Sequence, residues 1–237
     1  MLRLEHLFAQ LRHFINGPTA WDSRAFIVTL MDILDLFSRG DLKTELLKEL
    51  ERASNNLARL MEYPDINRQR LETVLRALEH LTKGLHNVSG QLGQDLRDNE
   101  FLTAIRQRSS IPGGTCDFDL PIYHQWLNQA TEKRQQQQLR WLGSLDPVRQ
   151  SVEMLLKLIR NSAEPQSLVA EQGKYQQSLE SSVPFQLIRI TLPSTSPYYA
   201  EVSGGKHRFT VRFMQPGPGR AAVTEEDVRF SLSCCSL

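Results

Sequence analysis

The spacing between apolar residues changes once along this chain, and that change restricts the possible folds more than any other feature of the sequence. In the first two thirds, apolar side chains recur every three or four residues. Leu4, Leu7, Phe8, Leu11, Phe14 and Ile15 form one such stripe, and Phe26, Ile27, Leu30, Ile33, Leu34 and Phe37 form the next. This is the period of a helix that buries one face. In the last third the period falls to two. Ile188, Ile190 and Leu192 alternate with Arg189 and Thr191; Phe209, Val211 and Phe213 alternate with Arg208, Thr210 and Arg212; Val228, Phe230, Leu232 and Cys234 alternate with Arg229, Ser231 and Ser233. Side chains that alternate in this way belong to half-buried strands. One layer cannot satisfy both periods, so the expected class is α+β: an N-terminal multi-helix domain packed with a C-terminal antiparallel β domain.

Breakers and caps divide the helical part. Gly17-Pro18 ends the first segment and Asp22-Ser23 offers cap chemistry for the second, which stops at Gly40. Asp41 caps a third helix, carrying Leu42, Leu46, Leu47, Leu50, Leu57, Leu60 and Met61, which Pro64 breaks. A fourth carries Leu71, Val74, Leu75, Leu78, Leu81 and Leu85, and a fifth runs from about Gln94 to Arg108. Asp146-Pro147 opens a last helix with Val148, Val152, Leu155, Leu156 and Ile159 inward. Glu164 to Lys174 reads as a polar linker, Ser203-Gly204-Gly205 as a hairpin turn, and the strands as a meander with one dry and one wet face. The segment from Ile111 to Pro121 is expected to be extended and to join the sheet. The expected division is a helical domain over residues 1–110, continued by helices in about 122–163, and a β domain made of 111–121 and 174–237.

Catalytic and metal-binding motifs are lacking. Pro112-Gly113-Gly114 and Gly217-Pro218-Gly219 do not lead into a phosphate-binding helix start and read as turns. Cys116, His124, Cys234 and Cys235 have no spacing that suits a zinc site, and three cysteines, two of them adjacent, do not make a disulfide framework. Their use points to a reducing compartment. No apolar run is long enough to span a bilayer, and Met1 to His6 is too polar for a secretion signal, so a cytoplasmic protein without membrane insertion is expected. The formal net charge of +1 gives no bulk attraction to nucleic acid. Neither a cofactor nor a metal nor an enzymatic activity is expected. A small hydrolase built on Cys116 and His124, or a nucleic-acid module using the basic strands, stay open as alternatives. Cationic side chains are the more informative group: Lys206, Arg208, Thr210 and Arg212 share one side of a strand, with Arg189 and Arg229 expected on neighbouring strands of the same wet face. Arginine forks on a rigid sheet suit carboxylates.

Several segments together resemble the ZapD family of bacterial cell-division proteins. They are Thr44 to Leu50, Ile105 to Gly114, Phe118-Asp119-Leu120-Pro121 with His124 and Trp126-Leu127, Leu158 to Ala163, Arg208 to Met214, and the closing Cys234-Cys235. The resemblance runs over essentially the whole chain. It implies a helical domain joined to a β domain in a symmetric homodimer. It also implies a non-catalytic role at mid-cell: binding the flexible, mixed acidic and apolar C-terminal tail of FtsZ, cross-linking and bundling its filaments, and so promoting Z-ring assembly at the division septum. By pattern match, the tail-binding positions fall on Arg3, Arg39 and His124 in the helical part and on Lys206, Arg208 and Arg212 on the hairpin. Glu100 departs from the pattern, standing where a basic residue is expected in one pocket.

Overall fold

In the computed structural model, which describes residues 1–179, 185–205, 207–217, 219 and 221–237, the first two apolar stripes become helices α1 (Leu2–Ile15) and α2 (Ala20–Ser38), joined by a short turn. The turn makes them an antiparallel hairpin. α2 starts earlier than Asp22-Ser23 suggests. Thr19 is the N-cap: its hydroxyl accepts the Asp22 N–H at 3.1 Å, while the Asp22 carboxylate accepts the Thr19 N–H at 2.9 Å. The Thr19 hydroxyl, which donates to the Asp22 carboxylate at 2.6 Å, and the Thr19 N–H together hold that carboxyl below the usual carboxylate range. α3 (Leu42–Arg59), capped by Asp41, pairs with α4 (Arg68–Asn87) through their Leu-rich faces. The expected fifth helix is two, α5 (Gln94–Arg97) and α6 (Glu100–Ser109). Asn99 accepts the Leu102 N–H at 3.1 Å and restarts the helix on a new axis. α7 (Pro121–Leu127), α8 (Thr131–Ser144) and α9 (Asp146–Arg160) follow.

The chain divides into two units, Met1–Leu156 and Lys157–Leu237. Residues 111–121 lie in the first and contain no strand, contrary to the extended segment expected there. Gly113 takes φ +73°, and the chain folds into successive turns in which Gly114 donates to Ile111 O at 2.9 Å and Leu120 to Cys116 O at 3.0 Å. A Cβ on Gly114 would come within 2.6 Å of Arg108 O, so a side chain there would block the turn.

The helical unit is locked by a buried charge. Arg134, on α8, is only 5% exposed and faces no carboxylate in any described ion pair. All five of its donors are nevertheless used. Nε donates to Ser23 Oγ at 3.1 Å, Nη1 to Leu127 O at 3.0 Å and to Gln129 O, and Nη2 to Pro18 O at 2.8 Å and Thr131 Oγ1 at 3.5 Å. The acceptors come from the α1–α2 turn, the first turns of α2 and α8, and the C-terminal end of α7, where the helix dipole is negative. Gln135 adds a bond to Ile15 O at 2.9 Å.

The second unit is a sandwich of two antiparallel sheets, not the single meander its alternation suggests. Strands β1 (Gln166–Ala170), β2 (Lys174–Ser178), β3 (Leu187–Thr191), β4 (Tyr199–Gly204), β5 (Arg208–Gln215), β6 (Ala222–Val223) and β7 (Val228–Cys235) divide into one sheet ordered β1-β7-β3 and another ordered β2-β5-β4, with β6 also on β5. β1 occupies the stretch read as a linker. Its Leu168 and Ala170 complete the core, but five residues beginning Gln-Ser are too short and polar to announce a strand. Gly173 (φ +68°) carries the chain from one sheet to the other, since a Cβ there would sit 2.5 Å from Thr224 O. The dry faces meet: Phe230 of β7 lies 5.0 Å from Phe213 of β5 and 5.3 Å from Tyr175 of β2, ring centre to ring centre.

Replacing Arg134 by Met should leave at least three carbonyls without their donor, at about 1–3 kcal/mol for each buried orphan. The expected result is an unfolding free energy lower by at least about 3 kcal/mol, read as a lower urea midpoint at unchanged slope. A loss under about 1 kcal/mol would show that water replaces the guanidinium.

Candidate functional site

The cationic positions named by the sequence fall in three places. Arg3 and Arg39, far apart in sequence, converge because α1 runs back along α2. Both line a groove of about 480 Å³ with Leu2, Leu7 and Leu36 as apolar wall, and His6, Asp32 and Asp35 alongside. Arg106 of α6 reaches in and pairs with Asp35 at 2.8 Å. Three guanidiniums against two carboxylates leave the groove cationic, and the leucines give it a surface for apolar side chains.

His124 is not part of that groove. It stands on α7 beside the opposite end of α2, where Arg24 lies 15 residues from Arg39, or about 22 Å at 1.5 Å per residue. Its ring is engaged at both nitrogens, Nδ1 with Asp117 at 2.8 Å and Nε2 with the Asn128 amide at 3.0 Å. A neutral imidazole that donates from Nδ1 and accepts at Nε2 satisfies both. Cys116 is turned to Asp119, with Sγ 3.5 Å from its carboxylate, so among the described contacts it does not meet His124 as a nucleophile would meet its base.

The residue that organises this end is Arg24, which the sequence does not single out. It donates to Thr115 O at 3.1 Å, approaches Asp117 at 3.7 Å, and lies over the Tyr123 ring at 4.8 Å and the Trp21 ring at 5.5 Å. Around it Trp21 is 77% and Phe118 83% exposed, and Ile122 is exposed as well. Aromatic side chains left this open are a mark of interaction surfaces. The one available signal was negative: Trp21 falls off the apolar stripe of α2.

On the sheet, Arg208, Thr210 and Arg212 do share the outer face of β5, opposite buried Phe209, Val211 and Phe213. Lys174, opposite Arg212 in the register, adds a cation, and Glu201 of β4 pairs with Arg212 at 3.4 Å. Lys206 lies outside the described residues. Arg189 and Arg229 do not join this face as expected. They belong to β3 and β7 of the other sheet, and the dry core lies between the two outer faces. Strand alternation cannot say which sheet a strand enters. Among the described residues no group of three or more His, Cys, Asp or Glu side chains is arranged to hold a metal ion, and no helix is long and apolar enough to cross a membrane. Burial pushes the Cys234 and Cys235 thiols up in pKa, away from the reactive thiolate.

Comparison with known proteins agrees with the resemblance. The model of the ZapD family, described as a cell division protein, matches residues 2–212. Proteins named cell division protein ZapD from Methylococcus capsulatus, Chromobacterium violaceum and Azoarcus sp. are 40%, 39% and 36% identical to this chain. Each alignment covers all of the chain and 93%, 94% and 94% of the respective relative.

Burial raises the Tyr123 phenol to about 12 even though the Arg24 charge opposes the shift. An unfolded tyrosine ionises near 10. The stabilisation tied to this group is therefore complete below about pH 10 and is lost as pH rises towards 12. Tyr123→Phe should remove the last step from an ultraviolet titration of the folded protein and flatten the alkaline loss of stability. A Tyr123 step near pH 10 would contradict the burial.

Proposed function

Because the chain belongs to the ZapD family of cell division proteins, we propose that it binds the C-terminal tail of FtsZ and, as a symmetric homodimer, cross-links and bundles FtsZ filaments in the cytoplasm at mid-cell. The observation that carries this reading is the convergence of Arg3 and Arg39 on one groove with a leucine wall. A tail of mixed acidic and apolar residues needs both chemistries within one binding length. The outer face of β5 supplies a second cationic surface through Arg208 and Arg212. His124, held by Asp117 and Asn128, contributes as part of the aromatic end of α2. The exposed Trp21, Phe118 and Ile122 offer apolar area for self-association.

Two-fold symmetry gives a dimer two copies of each surface, so a single dimer reaches two filaments. An extended tail loses conformational entropy on binding, which keeps each contact weak. A filament presents many tails, and linked sites raise apparent affinity by roughly 10²–10⁴. Bundling is then a cooperative consequence of weak grips. The contacts are salt-sensitive, because attraction between exposed charges decays over a screening length of about 10 Å at 0.1 M salt and over a shorter one as salt rises.

Co-sedimentation of polymerised FtsZ with this protein tests the reading. Intact filaments should pellet as bundles and tail-deleted filaments should not; equal bundling of both would refute tail binding. Arg3→Glu with Arg39→Glu, and separately Arg208→Glu with Arg212→Glu, each remove one surface; the pair whose folded protein loses tail affinity at least about tenfold by calorimetry, or about 1.4 kcal/mol, identifies the surface that holds the tail.

A further inference from the structure

Among the described residues, the sheet edge at β4 is open. β4 ends its sheet, and β6 does not cover it. The Phe213 N–H donates to Gly173 O at 2.8 Å and its carbonyl accepts from Thr224 N at 3.0 Å, which places β6 on the β2 side of β5. The Gly205 N–H donates to Arg208 O at 2.9 Å. In an antiparallel ladder bonded pairs alternate, so Tyr199, Glu201 and Ser203 spend their main-chain groups on β5. Ala200, Val202 and Gly204 turn theirs away from the sheet.

Nothing in β4 discourages another strand from pairing there. Edges are ordinarily blunted by lysine, proline or a bulge. β4 has none of these, and its register runs unbroken from Tyr199↔Met214 to Gly204↔Phe209. Its single charge, Glu201, leans onto Arg212. Val202, opposite buried Val211, is 50% exposed at the core-side rim. On the outer face the residues opposite Thr210 and Arg208 are Ser203 and Gly205, both small, so no side chain on β4 stands between the Arg208 guanidinium and the edge.

We propose that the β4 edge is a docking strand for an extended peptide of acidic and apolar residues. The peptide's main chain bonds to the outward groups of Ala200, Val202 and Gly204. An apolar side chain packs on Val202, and a carboxylate on the opposite face, over Ser203 and Gly205, meets Arg208. The charge of Arg208 and Arg212 beside the edge selects an acidic occupant over a basic or neutral one. This rests on the reading that the chain takes up the FtsZ tail and specifies how the β unit grips it.

Hydrogen–deuterium exchange of the full chain, with and without a synthetic FtsZ tail peptide, provides the test. Saturating peptide should slow exchange across residues 199–204. Val202→Pro removes one outward N–H and leaves the ladder to β5 in place, because proline is tolerated at a strand edge. It should weaken peptide binding at least about tenfold with an unchanged circular dichroism spectrum. If the wild type binds the peptide while 199–204 exchange as before, or Val202→Pro binds normally, the edge proposal fails and the tail reading stands. If the wild type binds no peptide at all, the tail reading fails and takes this proposal with it. Protection of 199–204 that grows with protein concentration alone would assign the edge to a second copy of the chain and overturn the proposal.

Discussion

A guanidinium withdrawn from water governs the arrangement of the helical unit. Arg134 carries a fixed positive charge that is stable inside the protein only while every donor has an oxygen to reach. Those oxygens belong to residues that are distant in sequence, from Pro18 and Ser23 to Leu127 and Gln129. Satisfying one side chain therefore fixes the α1–α2 turn, the start of α2 and the end of α7 against α8 together. With the turn fixed, α1 must run back along α2, and Arg3 meets Arg39 at the open end. With α7 fixed, His124, Tyr123 and Asp117 collect around Arg24 at the closed end. The two ends of one helix thus hold different surfaces for one structural reason.

The β unit makes its surfaces by a different route. Its core is apolar and aromatic, drawn from both sheets, and holds no buried ion pair among the described residues. Charge is left to the outer faces, where strand alternation spaces Arg208 and Arg212 two residues apart. The helical groove presents cations beside leucines in a concave site, whereas the sheet presents them beside an open backbone edge. Both suit a short, flexible, acidic and apolar segment, one through shape and the other through main-chain bonding. Weak and duplicated grips of this kind are consistent with the cross-linking role proposed above.

Much of this was legible beforehand. The helical stripes of α1 to α4 and the alternation of β5 and β7 appear where the periods put them, because burial of one face writes itself directly into sequence spacing. Asp41 caps α3 as its position suggests. The break at Asn99, the strand at Gln166–Ala170 and the turns of 111–121 were not legible. Each is decided by a few hydrogen bonds or by one residue reaching a distant core, and neither leaves a periodic trace. Among the site residues, the shared face of Arg208 and Arg212 follows from alternation alone, but their separation from Arg189 and Arg229 does not.

The sequence by itself determined the class of fold, the passage from helices to strands and the residues that carry charge, since periodicity, breakers and composition are local properties. Only the tertiary structure decided that Arg3 and Arg39 share a groove while His124 does not, that Arg24 organises an aromatic surface, and that the alternating strands face one another as two sheets. Such juxtapositions depend on contacts between residues remote along the chain, settled by where Arg134 finds its oxygens and where Phe230 finds Phe213.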